Sequence, residues 1–424
     1  MPRRFDVDPE LMPHATVVPA PSRVSAGFPA LPPLALYVHV PWCVRKCPYC
    51  DFNSHELRTP PRPGRLPAGP SRTTDLDAEL EGRYLAALVA DLEFALPSVW
   101  GRTVHSVFLG GGTPSLLSAR AVDTLLAAIR ARLPVEPGAE ITLEANPGTF
   151  EAGKFAAFRA AGITRLSIGI QSFNPAHLKT LGRIHDAEQA RRAIGIAQRH
   201  FDNFNLDLMY ALPGQSVAQA LQDLHAALAY GPPHLSAYHL TIEPNTWFYR
   251  HPPQLPDEDA AADMQAAIER DLAAHGYRHY ETSAFCRPGR EARNNLNYWT
   301  FGDYLGIGAG AHGKLSFADR VVREVRWKHP REYMERAAEG APRQGLQEVA
   351  AASLPFEFMM NALRLVDGFE LRLFAERTGM PLTAALAALD EAQRRGYIER
   401  DALRVRPTLR GQRFLNDLLQ LFLN

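Results

Sequence analysis

Cysteine is scarce in this chain: four in 424 residues, which leaves no framework of disulfides to organise a fold. No charge of one sign prevails either, because Lys+Arg and Asp+Glu balance at 46 each. Without a basic field there is no footprint for nucleic acid or for an acidic membrane surface. No apolar run approaches the ~20 residues that span a bilayer. Arg3-Arg4-Phe5 has the look of a twin-arginine signal, but Asp6, Asp8 and Glu10 follow where an apolar region is required. These absences together predict a cytoplasmic protein with reduced thiols. Its length predicts one large domain and a smaller one.

Three of the four cysteines stand together, in Val40-Pro-Trp-Cys-Val-Arg-Lys-Cys-Pro-Tyr-Cys-Asp-Phe. Cys43, Cys47 and Cys50 are spaced C-x3-C-x2-C, and such a trio can hold three corners of a [4Fe–4S] cube. The fourth iron is then open to a ligand that is not protein. The competing reading is structural zinc with His39 or His55 as fourth ligand. Zinc sites usually pair two knuckles well apart in sequence, and no second knuckle follows, so iron–sulfur is preferred. Cys286 stands alone and reads as a small buried hydrophobe.

Residues 1–33 and the stretch Arg58 to Arg72 are proline-rich and aperiodic, and read as an irregular lead-in and a loop insertion. Between about 34 and 315 the chain alternates. Apolar or β-branched runs fall at Leu34–Val40, Ser106–Leu109, Glu140–Ala145, Arg165–Ile170, Asn203–Tyr210 and His234–Ile242. Helical periodicity fills the intervals, at Asp75–Leu96, Ala119–Leu133, Glu151–Ala161, Asp186–Arg199, Val217–Tyr230 and Glu258–His275. Such repetition predicts right-handed βα units around a parallel sheet, either open and doubly wound or a partial barrel. Strand after strand ends in polar or glycine residues: the cysteines, Gly110-Gly-Gly-Thr-Pro, Glu144-Ala-Asn-Pro, Gln171-Ser and Glu243-Pro-Asn, with Asp207 inside the fifth. Sites in parallel sheets lie at the carboxyl ends of strands, and so many contributions to one rim favour a partial (βα)6 TIM-like barrel.

Residues 316–349 read as a connecting segment. From about 350, helices at Ser353–Leu363, Glu370–Thr378 and Leu382–Arg395 precede a short β segment at Leu403–Thr408 and a last helix, Gly411–Phe422. Helices with a small wing predict a winged-helix-like α+β domain over 350–424. It lacks a dense basic recognition helix, so packing or a lid is preferred to nucleic-acid binding.

Taken together, the cysteine segment, the Gly-Gly-Gly-Thr-Pro loop and Gln171 resemble the radical S-adenosylmethionine (SAM) superfamily. The similarity is to its coproporphyrinogen-dehydrogenase-like branch, and within that to the HemW heme chaperones. It runs from Leu36-Tyr-Val-His-Val-Pro-Trp-Cys through Leu305-Gly-Ile-Gly-Ala-Gly-Ala-His to Pro407-Thr-Leu-Arg-Gly-Gln-Arg-Phe-Leu. The resemblance implies that SAM chelates the open iron, and that an electron from the cluster can split its sulfonium bond to give a 5′-deoxyadenosyl radical. It implies SAM contacts from Tyr37, Tyr49, Gly111, Gly112, Thr113, Glu144, Gln171, Arg183 and Asp207. Arg183 would meet the carboxylate, and the acids and Gln171 the ribose and amino groups. The glycines would let backbone N–H groups approach the methionine end.

Two departures from the dehydrogenase matter. Phe52 stands where that enzyme has a fourth cysteine, as it does in HemW-like proteins. The H-N-x-x-Y-W motif associated with heme reads Asn294-Asn-Leu-Asn-Tyr-Trp, and an asparagine amide is not the axial ligand that an imidazole is. Heme candidates are therefore Asn295, Tyr298, Trp299 and His312, with His239 and Cys286 as further ligands to consider. The function expected is a heme chaperone that carries heme as cargo to an acceptor protein, with respiratory proteins as one class. An electron donor is implied, and homodimerisation and peripheral membrane contact are left open. The alternative is an oxygen-independent coproporphyrinogen III dehydrogenase.

Overall fold

A computed structural model describes residues 27–28, 30–57, 75–149 and 151–423. Most of the two proline-rich stretches, 1–26 with 29 and all of 58–72, lies outside the described residues. The main sheet has twelve strands: β1 Leu34–Val40, β2 Val104–Gly111, β3 Val135–Ala145, β4 Arg165–Gln171, β5 Phe204–Tyr210, β6 His234–His239, β7 Arg278–Glu281, β8 Ala284–Cys286, β9 Asp303–Ile307, β10 His312–Ser316, β11 Val321–Arg326 and β12 Arg343–Glu348. Their order is β12-β11-β10-β9-β1-β2-β3-β4-β5-β6-β8-β7. Every junction from β9 through β1 to β6 is parallel, and antiparallel strands flank both ends. The sheet keeps two edges, so the barrel is open, as expected of a partial one.

The six expected strands are β1–β6. The six helices follow as read, with ends shifted by at most a turn: Ala78–Val99, Ala119–Arg132, Ala152–Ala161, Ala187–His200, Val217–Leu228 and Glu258–Ala274. Two of them start on capping boxes, Asp186 with Gln189 and Ser216 with Gln219, which set where the loops before them end. What differs is β9, a seventh parallel strand that docks on β1. Residues 316–349 also do more than connect. They carry β11, the helix Pro330–Ala338 and β12, which widen the sheet.

Side-chain alternation explains the curvature. Leu166, Ile168, Ile170, Leu206, Leu208, Leu235 and Ala237 pack outward in the core beneath the helices. Their neighbours Arg165, Ser167, Asn205, Asp207, His234 and Ser236 turn inward and line a cavity. A sheet with polar residues on one face and helices on the other must curl, so that the polar groups meet one another.

The C-terminal module has a separate core around Phe358, on which Phe369 and Phe374 pack edge-on with centroids 5.0 and 5.3 Å away. Helices Leu354–Ala362, Leu371–Thr378 and Leu386–Arg394 pack with a three-stranded wing, in the order Phe369–Glu370, Arg404–Pro407, Ile398–Arg400, whose first strand lies between the first two helices in the chain. The expected last helix is two short ones, Leu409–Arg413 and Leu415–Gln420, because Phe414 between them leaves helical geometry (φ −113°, ψ 45°). Arg323 of β11 holds the module through the carboxylate of Glu357. No helix of the described residues is long and apolar enough to cross a membrane.

One buried hub ties β11 and its following helix to the barrel. Asp91, on the first helix, accepts from Arg326 Nε at 2.7 Å, from the Gly308 amide at 3.1 Å and from the Tyr333 hydroxyl at 2.9 Å. Removing it leaves the buried Arg326 guanidinium with Glu324, at 2.7 Å from Nη1, as its remaining carboxylate and with Nε unpaired. Asp91→Ala is expected to cost ~3–5 kcal/mol, read as a lower denaturant midpoint; an unchanged midpoint would show that the hub contributes little.

Candidate functional site

The cysteine loop leaves the carboxyl end of β1 and is fastened on three sides. Gly112 N–H donates to Val40 O at 2.7 Å and Thr113 N–H to Trp42 O at 2.8 Å. His55 N–H reaches Pro41 O at 2.7 Å, and Phe248 N–H reaches Pro48 O at 2.9 Å. The first contact demands glycine, since a Cβ on Gly112 would sit 2.5 Å from the Trp42 carbonyl oxygen.

All three thiols line one cavity of about 450 Å³ at the open end of the sheet. Cys43 Sγ accepts from the Thr113 hydroxyl at 3.5 Å, Cys47 Sγ from Arg183 Nη1 at 3.6 Å, and Cys50 Sγ lies 3.8 Å from Ser54 Oγ. Burial pushes the Cys43 thiol up to about 11, so its thiolate forms only against a cation. Of the two histidines considered as a fourth zinc ligand, His39 is not free to serve. His39 donates from Nε2 to Asn53 O at 2.9 Å and accepts at Nδ1 from the Tyr37 hydroxyl at 2.9 Å, which leaves it no lone pair. Among the described residues no three His, Cys, Asp or Glu groups are placed around a single ion, Cys43, Cys47 and Cys50 included.

Thr113, Gly111, Gly112, Tyr49, Glu144, Gln171, Arg183 and Asp207 share the cavity with the thiols. Tyr37 does not; it lies in an adjoining cavity. The amides behave differently from expectation. Gly112 and Thr113 spend their N–H groups on β1 and the cysteine loop, and Gly111 N–H donates to Glu144 Oε2 at 3.0 Å. None is left over for a ligand. Gln171 sits at φ 67°, a left-handed conformation costly for any residue but glycine and common where a side chain must be aimed at a site.

The charges are incomplete. Burial, then the nearby Asp207 carboxylate, raises Glu144 to about 8, against the pull of the Gly111 N–H. Burial also raises Asp207, although Asn205 and Ser167 donate to it at 2.7 and 3.0 Å. Arg183 is half-buried, donates to Gly169 O at 2.7 Å, and its buried Nε has no partner among the described residues. Around the thiols the cavity thus sets the Glu144 and Asp207 carboxyls against Arg183, with Arg45, Asp51, Arg165 and Glu243 as further charged lining.

Deeper in the cavity lies a network that the motif reading missed. Asn205 donates to Ser167 Oγ at 2.9 Å, and its Oδ1 takes His234 Nδ1 at 2.7 Å and the Ser236 hydroxyl at 3.1 Å. His234 Nε2 meets the Tyr280 hydroxyl at 2.8 Å. The signal was in the sequence, as period-two polar residues in Arg165-Leu-Ser-Ile-Gly and His234-Leu-Ser-Ala-Tyr.

The heme candidates do not form one group. Asn295 and His239 line the thiol cavity. Tyr298 and His312 line the adjoining cavity of about 610 Å³ with Tyr37. Trp299 is in neither and stacks under the Arg364 guanidinium, 5.1 Å from the ring centroid. Asn294, in the motif's histidine position, is buried with its side chain bonded to the Tyr298 hydroxyl. Cys286 is fully buried. Phe52 is 58% exposed and borders both cavities.

An open parallel barrel with three thiols on its first rim loop defines a class, the radical SAM proteins. Residues 37–227 match the radical SAM superfamily, and residues 349–414 match the HemN C-terminal domain. The chain is 47% identical over 395 residues to the heme chaperone HemW of Escherichia coli (strain K12), covering 93% of this chain and 99% of the relative. Against the heme chaperone HemW of Bacillus subtilis (strain 168) it is 31% identical over 395 residues, covering 91% and 98%. The chain belongs to the HemW family. Among solved structures, coproporphyrinogen III oxidase (HemN) from Escherichia coli, a radical SAM enzyme, superposes with TM-score 0.74 at 21% identity over 92% of this chain and 90% of that one, so the fold is shared.

Two outcomes follow for ligand-free protein. A carboxyl whose folded pKa is raised contributes stability below its unfolded pKa and loses it as pH climbs through the folded value, here about 8. Glu144→Gln should therefore melt higher than wild type at pH 9, with the gap closing toward pH 5, while its affinity for SAM drops at least ~10-fold. A melting gap that does not vary with pH would contradict the raised carboxyl. Gly112→Ala should cost ~1–3 kcal/mol and lower the iron content after anaerobic reconstitution; full iron loading would show that the loop tolerates the clash.

Proposed function

We propose that this protein is a heme chaperone that holds a [4Fe–4S] cluster on Cys43, Cys47 and Cys50 and SAM beside it, and passes heme to an acceptor protein. The observation that carries the reading is end-to-end similarity to proteins named heme chaperone HemW. Phe52, exposed at the rim where the dehydrogenase pattern has a cysteine, supports it. The residues fit both resident groups. The thiols line one cavity together with Glu144 and Asp207, which suit the sulfonium and ammonium of SAM, and with the Arg183 guanidinium, which suits its carboxylate. The ammonium carries only donors, so its partner is the Glu144 carboxylate, not the loop amides. When bound, the cluster supplies a single electron toward the sulfonium, for which an electron donor is required. The reading places the protein in the cytoplasm, where such thiols stay reduced.

The test is anaerobic reconstitution followed by heme titration and transfer to an apo-acceptor. A second arm gives the same protein reductant, SAM and coproporphyrinogen III. One heme bound per chain and released to the acceptor, with no protoporphyrinogen IX formed, is the expected result. Failure to bind heme under reducing conditions would overturn the reading, and protoporphyrinogen IX among the products would replace it with the dehydrogenase.

A further inference from the structure

We infer that heme sits in the cavity adjoining the SAM site, with His312 at the start of β10 as the axial ligand to its iron. This rests on the heme-chaperone reading and names a seat and a ligand that the family motif cannot supply here, since its histidine position is Asn294.

The argument is one of elimination among the donors that face the cavity. It is bordered by Tyr37, His39, Lys46, Cys50, His55, Tyr298, Tyr304 and His312; the proposed reading commits Cys50 to the cluster, and Lys46 Nζ donates to Phe52 O and Ser54 O at 3.1 and 3.2 Å. His39 has both ring nitrogens engaged, and the Tyr37 hydroxyl is spent on it. The Tyr298 hydroxyl is bonded to Asn294, and the Tyr304 hydroxyl accepts from Arg323 Nη1 at 3.2 Å. His55 bonds the Lys328 backbone, and its Nε2 is unpartnered but sealed from solvent, with the His329 ring packed edge-on 5.4 Å away. Only the His312 ring, among these, is exposed to the cavity with no hydrogen bond or ion pair to any described residue. Burial lowers its pKa, and the cations Lys328 and Arg323 lower it further, so the imidazole stays neutral with a lone pair to give.

The surroundings suit a porphyrin. About 610 Å³ lies within the range of cofactor-sized sites. Tyr298 and Tyr304 form an edge-on pair with centroids 4.7 Å apart on one wall, Phe52 offers an apolar edge, and Lys328 is an exposed cation, without an ion-pair partner among the described residues, for a propionate. The open mouth is what a cargo site needs, because heme must leave it for an acceptor.

The test is heme titration of reconstituted wild type, His312→Ala and His312→Met, followed by absorption and electron paramagnetic resonance. Iron content and SAM binding serve as controls for folding. Wild type is expected to show a histidine-ligated spectrum. His312→Ala should lose that signature and bind heme at least ~10-fold more weakly with the cluster intact, and added imidazole should restore the signature. His312→Met should shift the spectrum toward thioether ligation. Unchanged spectra and affinity in both variants would overturn the assignment of His312 and leave the chaperone reading standing. Absence of heme binding by wild type would overturn both.

Discussion

A parallel sheet whose inner face is polar imposes the constraint on which the rest of this molecule depends. Arg165, Ser167, Asn205, Asp207, His234 and Ser236 occupy alternate positions on three neighbouring strands, and flat geometry would leave them facing a helix layer or water. Curling lets most of them satisfy one another, from Ser167 and Asp207 through Asn205 to His234 and Tyr280, while Arg165 keeps a buried Nε without a hydrogen-bond partner among the described residues. The satisfied network is the floor. Above it the same alternation reaches Glu144 and Gln171, where partners run out and charge is left uncompensated. The fold therefore makes a site by exhausting its own hydrogen bonds from the bottom of the lumen upward.

Much of this could be read from the sequence, and the parts that could not share a cause. Strands β1–β6 and their helices were visible because long periodic segments alternate with short apolar ones. The thiols, Glu144, Gln171, Arg183 and Asp207 were visible because they stand at strand ends, or because the resemblance points to them. Strand β9 was hidden: five residues with no long helix before them carry almost no periodic signal, and only pairing with β1 makes them a strand. The role of Gly112 was hidden for a related reason. A glycine that lets a loop approach a ligand and one that lets it approach Trp42 look identical in sequence, and only tertiary distance separates them. Grouping of the aromatic motif also needed coordinates, since Tyr298 and Trp299 are adjacent in sequence yet face different surroundings on a short helix.

The cysteine loop is the wall between two chemistries. Cys50, Asp51 and Phe52 border both the thiol cavity and the one beside it, as do Gly111 and Glu144. The loop is positioned by backbone bonds to β1, to the glycine turn and to Phe248, while its thiols find only weak side-chain partners. A cluster that tightened the loop would thus shape both cavities together. The Phe52 position lies on this shared wall, and that gives a physical meaning to the difference from the dehydrogenase pattern. A cysteine there would add a polar thiol at the mouth, whereas phenylalanine turns the mouth apolar without touching the three ligands. The residue that separates the two functional readings alters an edge shared by both cavities and leaves the three thiols in place.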